Sequence, residues 1–245
     1  AWMMRFMIKL GKFLGNINIE FKNGDKVFVS GEDVTNKLHL PEVTKLVPKI
    51  AAIKKVRNHS PKYVVEHMKL LYDKYQIRGF YFGDDIFTNN FKRVYEICSL
   101  IKETFPLQDI TIRITTRANL LTQELCYVMK DAGIDIISIG LESGSDKVLK
   151  AMRKAENVEQ QRQGVEYCYN AKIKVKGFFL FGNPGETWED VLLTISFAKD
   201  LVQTGRLHYA DAYILKPIPA SPFYQNPDEF GIKITNKDWQ NHYQV

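Results

Sequence analysis

The sequence predicts an α/β fold, a partial (β/α)6 TIM-like barrel with a short N-terminal hairpin and linker. Three observations predict it. From about residue 48 onward, six short apolar runs alternate with segments of helical period, and each of the first five is followed by a helix. That order is the signature of right-handed βαβ units in a parallel sheet. Several of the runs carry one polar face, whereas a sheet covered by helices on both sides is apolar on both; a partial barrel whose lumen receives a ligand accounts for this. Glycines and carboxylates also collect just after the runs, at the carboxyl ends where such folds build their sites.

Residues 1–47 read as a lead-in too small for a core of its own. Within it Ile17 to Phe21 and Lys26 to Val29 are two strands around Asn23-Gly24-Asp25, a hairpin signal, and Ser30 to Lys37 is a polar connector. Residues 48–245 are the barrel, and Lys49 to Ile53 is its first strand. Ser60-Pro61 then starts a helix, serine capping free amides and proline fitting the first turn. Val64, Val65, Met68, Leu71 and Tyr72 repeat behind it at helical spacing.

Gly79 to Gly83 is the second strand, and Val94, Ile97, Cys98 and Ile101 mark the next helix. Ile110 to Thr115 is the third strand, with Ile110, Ile112 and Ile114 on one face and Thr111, Arg113 and Thr115 on the other. Thr122 caps a helix carrying Leu125, Val128, Met129 and Ala132. In the fourth strand, Ile134 to Leu141, Ser138, Gly140 and Glu142 oppose Asp135, Ile137, Ile139 and Leu141. Ser145 caps a helix through Val148, Leu149 and Met152, and a further helix runs to about Asn170. Val175 to Phe181 is the fifth strand, and Thr187 caps the helix of Val191, Ile195, Ala198 and Val202. In the sixth strand, Tyr209 to Leu215, Tyr209, Asp211 and Tyr213 oppose Ala210, Ala212 and Ile214.

Composition narrows the class. The chain is 245 residues long, 45% hydrophobic and 25% charged, which excludes an intrinsically disordered protein. Three cysteines, Cys98, Cys126 and Cys168, are odd in number and widely spaced, so a disulfide scaffold is excluded and a reducing, cytoplasmic setting is expected. The net charge of +6 is spread over scattered lysines and makes no case for nucleic acid as a partner. There is no apolar run of membrane-spanning length, and residues 1–14 lack the order of a signal peptide.

The strand ends carry the candidate chemistry. They are Gly83-Asp84-Asp85, Gly140-Leu141-Glu142-Ser143-Gly144-Ser145, Gly182-Asn183-Pro184-Gly185-Glu186-Thr187 and Lys216-Pro217-Ile218-Pro219-Ala220-Ser221. Adjacent acids such as Asp84 and Asp85 accept hydrogen bonds from an ammonium group or bind a metal. Glu142 can accept from two ribose hydroxyls, as acids do in nucleotide folds. The Asn183-Pro184-Gly185 turn lets backbone approach an adenine or a carboxylate. Together these suit a zwitterionic nucleoside.

Residues 57–222 resemble the radical S-adenosylmethionine superfamily, in particular its cobalamin-dependent branch. The resemblance rests on Arg57-Asn58-His59-Ser60-Pro61, Gly83-Asp84-Asp85-Ile86-Phe87, Arg117-Ala118-Asn119-Leu120-Leu121, Lys130-Asp131-Ala132-Gly133, and the three later strand ends just quoted. It implies a [4Fe–4S] cluster with S-adenosylmethionine on its unique iron, cleaved to a 5′-deoxyadenosyl radical, and in this branch cobalamin. By position, Asp84 and Asp85 would meet the methionine amino group, Glu142 the ribose, and the turn of Gly182, Asn183, Pro184 and Gly185 would flank the adenine, with Ser143 a further cofactor-binding candidate. Arg113, Arg117 and Tyr213 are lumen or rim candidates for a small-molecule substrate, and an electron donor such as flavodoxin or ferredoxin is implied.

The sequence departs from the family at one place. The Cys-x3-Cys-x2-Cys loop that follows the family's first strand is absent. Pro48 to Ile53 resembles that strand, and Lys54-Lys55-Val56-Arg57 resembles the stretch after the loop, yet the two abut. A segment of about 15–20 residues, longer than ordinary strand–helix connections, is expected between Ile53 and Lys54. Two readings stand: a radical enzyme core whose cluster loop is missing from the sequence, and a cluster-less paralogue serving as a nucleoside-binding or interaction module. Residues 15–47 also resemble the linker that follows a cobalamin-binding domain in the branch.

Overall fold

A computed structural model describes the strand segments 19–22, 26–29 and 32–33, and residues 59–106, 109–218 and 221–235. The chain divides into two units, Ala1–Val64 and Val65–Val245. In the first, β1 (Ile19–Lys22) pairs antiparallel with β2 (Lys26–Val29), Phe21 opposite Val27, as the hairpin signal requires. A third strand, β3 (Glu32–Asp33), pairs with β2. The segment Ser30 to Lys37 is therefore corrected: its Glu32-Asp33 pair joins the sheet, because ladder bonds use backbone that polar residues also carry. The Asn23-Gly24-Asp25 turn and the expected strand Lys49 to Ile53 lie outside the described residues.

Helix α1 (Pro61–Tyr75) starts where Ser60 Oγ accepts from the Tyr63 amide at 3.2 Å. The second unit then alternates strand and helix. In order come β4 (Gly79–Tyr81), α2 (Phe91–Thr104), β5 (Thr111–Thr116), α3 (Gln123–Asp131), β6 (Ile134–Glu142) and α4 (Asp146–Ala151). They are followed by α5 (Val158–Asn170), β7 (Lys174–Phe181), α6 (Trp188–Gln203), β8 (Tyr209–Ile214) and α7 (Pro222–Gln225). The five strands are parallel and hydrogen-bonded in the order β4-β5-β6-β7-β8, a curled half-barrel. The predicted strands hold with shifts of one or two residues at their ends; β4 stops at Tyr81 rather than Gly83.

The alternation of side chains separates two faces. Ile112, Ile114, Ile137, Ile139, Leu141 and Val175 have no exposed surface, nor do Val94, Ile97, Cys98, Met129, Val148 and Val165 on the helices. Each such side chain contributes about 1.5–3 kcal/mol by leaving water. The opposite, concave face carries Arg113, Thr115, Ser138, Lys176, Asp211 and Tyr213. Caps fix where helices begin and hence how long the rim loops are. Thr122 Oγ1 accepts from Leu125 N at 3.1 Å, Thr187 and Asp190 form a capping box, and Asn90, not anticipated from the sequence, caps α2.

Candidate functional site

Because the sheet is parallel, the carboxyl ends of β4 to β8 share one rim, so the predicted loops after β4, β6 and β7 open on the same side as the start of the β8 loop, whose Pro219 and Ala220 lie outside the described residues. The end of β6 is the most constrained. Gly140 pairs with Phe178 and Glu142 with Phe179, leaving Leu141 as a bulge. Glu142 has φ +58, in the left-handed region, which costs a non-glycine residue about 1 kcal/mol or more. The strain is held by a side-chain brace. Lys154 Nζ donates to the Gly140 carbonyl at 2.8 Å and to Glu142 Oε1 at 2.9 Å, and lies 3.5 Å from Glu156 Oε1. Glu156 is buried and accepts from the Asn119 amide at 3.2 Å, while Gln161 Nε2 donates to the Leu141 carbonyl at 2.7 Å. A Cβ on residue 140 would fall 2.4 Å from Glu142 Oε1, so glycine there is what admits the carboxylate.

The next residues are tied to α6. Ser143 Oγ and Thr194 Oγ1 share a hydrogen bond of 3.0 Å, and Thr194 Oγ1 accepts from the Gly144 amide at 3.0 Å. Ser145 Oγ donates to Asp190 Oδ1 at 2.7 Å. Asp190 Oδ2 accepts from the Thr187 amide at 2.9 Å and ion-pairs with Lys147. These partners, Lys147 first and then Ser145, hold the Asp190 carboxyl well below the usual carboxylate range. Ser143 is fully buried, so its hydroxyl serves this network and orders the loop.

After β7, Gly182 has φ +78, a conformation glycine adopts without strain. The turn is closed by Glu186 Oε2, which accepts from the amides of Gly182 at 2.5 Å and Asn183 at 3.1 Å. Asn183 is 5% exposed, and its Oδ1 is buried with no hydrogen-bond partner among the described residues. After β4, Asp84 Oδ1 lies 3.8 Å from an Arg93 guanidinium nitrogen and Asp85 is exposed. That loop is pinned by Phe82 on Phe87, ring centroids 5.1 Å apart, and by the buried hydroxyl pair of Thr88 and Thr116.

On the concave face, Arg113 Nε donates to Ser138 Oγ at 3.0 Å. Lys176 Nζ lies 2.5 Å from Asp211 Oδ2, and the Tyr213 hydroxyl donates to the same oxygen at 3.1 Å. Lys176 foremost, with Tyr213 and Arg113, lowers the Asp211 carboxyl, and the bond to Asp211 raises the Tyr213 phenol. Arg113 and Tyr213 thus belong to one cluster, while Arg117 follows β5 on the rim. Sequence reading missed Lys154, Glu156, Asp190, Thr194 and Lys176. Of these only Asp190 had a local signal, the third residue of a capping box after Thr187.

A half-barrel with an acid- and glycine-bearing rim defines the class, an α/β protein whose candidate site lies at the carboxyl ends of its strands. The chain belongs to the radical SAM superfamily, whose model matches residues 24–198. An uncharacterized methyltransferase of Pyrococcus horikoshii is 31% identical over 172 residues, 70% of this chain and 36% of that protein. The bacteriochlorophyllide d C-8(2)-methyltransferase of Chlorobaculum tepidum is 29% identical over 157 residues, 62% of this chain and 33% of that protein. Among solved structures, the radical S-adenosylmethionine methyltransferase TsrM from Kitasatospora setae, with cobalamin and a [4Fe–4S] cluster bound, shares the fold. Its TM-score is 0.59 at 18% identity, covering 67% of this chain and 30% of that one. The chain spans about a third of the length of these proteins.

The family uses S-adenosylmethionine and a [4Fe–4S] cluster, and the residues present fit the two differently. For S-adenosylmethionine they fit: the rim offers Asn183 Oδ1, an acceptor without a partner among the described residues, and carboxylates at two strand ends. For the cluster the cysteines do not fit. Cys98, Cys126 and Cys168 are buried on α2, α3 and α5. Burial pushes the Cys98 thiol up to about 12, and the Cys168 thiol is raised by its hydrogen bond with Cys126 and by burial. Cluster ligands are thiolates, which this setting opposes. The join between Ile53 and Lys54 lies outside the described residues. Among the described residues no helix is long and apolar enough to cross a membrane.

Proposed function

We propose that residues 48–245 form the S-adenosylmethionine-binding barrel of a radical enzyme of the cobalamin-dependent methyltransferase branch, with residues 1–47 as its lead-in. The reaction is methylation or rearrangement at an unreactive carbon or phosphorus centre of a small-molecule substrate. Cobalamin, a cytoplasmic setting and an electron donor of the flavodoxin or ferredoxin kind complete the reading. Bound S-adenosylmethionine supplies a methyl group or a 5′-deoxyadenosyl radical, and the chain supplies binding, orientation and shielding. Asp84 and Asp85 accept from the methionine ammonium. Glu142 accepts from the ribose hydroxyls, with Ser143 holding its loop in place. Gly182, Asn183, Pro184 and Gly185 flank the adenine, where Asn183 Oδ1 takes the ring amino donor it now lacks. Arg113, Arg117 and Tyr213 face the substrate.

The observation that carries this reading is Glu142 held in a left-handed, bulged conformation by Lys154, beside the turn of Asn183. Strain of this kind persists where surrounding structure holds a residue for a purpose. Calorimetric titration with S-adenosylmethionine tests it. Glu142→Ala and Asp84→Ala should each weaken binding about tenfold or more, the loss of charge-assisted hydrogen bonds. Undiminished binding in both would overturn the assignment.

A further inference from the structure

The concave face carries a charge imbalance the rim chemistry does not use. Arg113 is partly buried at the middle of the sheet, and only its Nε is engaged, by Ser138. Among the described residues no carboxylate forms an ion pair with it. The nearby Asp211 is already taken by Lys176 and Tyr213 on one oxygen. Arg113 and Lys176 against Asp211 leave this patch with a net positive charge. A guanidinium held partly out of water with most of its N–H donors unspent is costly unless an anion completes it.

Aromatic rings flank the charge on both sides. The Arg113 guanidinium carbon lies 5.4 Å from the Tyr81 ring centre, and Tyr81 is 55% exposed. On the other side Phe178 and Tyr213 lie with ring centroids 6.1 Å apart, and Lys176 Nζ is 5.4 Å from the Phe178 ring. Cationic donors between half-exposed rings suit a flat unsaturated body that carries an oxyanion. Ser138, which marks the depth of Arg113, precedes Glu142 by four residues on β6. That is about 13 Å of strand, room for a ring-sized body between anion and rim.

We propose that Arg113 and Lys176 anchor the oxyanion of a flat, conjugated substrate, a carboxylate or a phosphate, with Tyr81, Phe178 and Tyr213 as its walls. This rests on the reading of the barrel as a substrate-holding lumen, yet its test is separable from S-adenosylmethionine binding.

Fluorescence titration of the whole chain with 2-naphthoate, 2-naphthyl phosphate and neutral 2-naphthamide decides it. At least one anion should bind tenfold or more tighter than the amide, and which one binds tighter identifies the oxyanion. Arg113→Gln should collapse that ratio to about one while leaving the melting temperature and S-adenosylmethionine affinity unchanged; Arg113→Lys should restore part of it. Equal binding of all three probes, or a ratio that survives Arg113→Gln, overturns the proposal. Selective anion binding by a chain that does not bind S-adenosylmethionine would reject the rim assignment and keep this one.

Discussion

The two sides of the half-barrel are built to different standards. The helix face of β6 is sealed, with Ile137, Ile139 and Leu141 fully buried, and the loop after it is cross-braced by Lys154, Thr194 and Asp190. The edge strand β8 is open: Tyr213 is 51% and Ile214 75% exposed. The difference teaches where precision is needed. The strained backbone of Glu142 has to be held in place, and packing around β6 supplies that rigidity, which the proposed ligand site would need. The margin at β8 is held by the polar bonds of Asp211 and the ring contact of Tyr213 with Phe178.

The widest test of this contrast is stability. Ile139→Ala should cost about 2–5 kcal/mol in urea unfolding, the usual cost of a cavity in a sealed core. Ile214→Ala should stay within about 0.5 kcal/mol, as exposed substitutions do. Similar costs at both positions would erase the distinction between the two strands.

Next in size is ligand affinity at the brace. Gly140→Ala should lower S-adenosylmethionine affinity about tenfold, because the new methyl displaces Glu142 Oε1, and a flexible carboxylate end can shift without unfolding the strand. Calorimetry beside a melting curve separates the two effects; a large fall in melting temperature with unchanged affinity would place the role of Gly140 in the fold alone.

A smaller effect is expected in acid. The Asp190 carboxyl is depressed in the folded chain, so its contribution is present above the unfolded carboxylate value, near 3.9, and fades as pH falls below it. Wild-type melting temperature should therefore drop more steeply than that of Asp190→Asn as pH is lowered from about 5 to 2. Parallel curves would show that Asp190 adds nothing pH-dependent to the loop.

The smallest effect concerns the cysteines. Replacing Cys98, Cys126 and Cys168 together by alanine should leave iron content after anaerobic reconstitution unchanged. A proportional loss of iron would make these buried thiols ligands after all.

Much of the fold was legible because its signals are local. Thr122, Ser145 and Thr187 cap the helices they announced, and the alternation of Ile112 and Ile114 with Arg113 and Thr115 separates the two faces as read. The rim was legible in outline, since each strand end carries its own glycines and acids. What failed to show was pairing at a distance. Lys154 on Glu142, Asp190 on Ser145 and Lys176 on Asp211 join residues separated by 12, 45 and 35 positions, and no local pattern tells which residue meets which. The left-handed backbone of Glu142 was also invisible, because glutamate is not a residue that announces it. The burial of Ser143 and its bond to Thr194 across 51 positions were likewise out of reach of the sequence.

The sequence by itself determined the order of the described strands and helices, the polar and apolar faces, the acids and glycines at the rim and the absence of a cysteine loop at Ile53-Lys54. These follow from spacing, capping and residue type, which act over a few positions. Only the tertiary structure decided which carboxylates are held by cations, and that Arg113 stands without an ion-pair partner among the described residues. Charges from different strands meet only when the sheet closes, and their energy depends on distance and burial that no single segment contains.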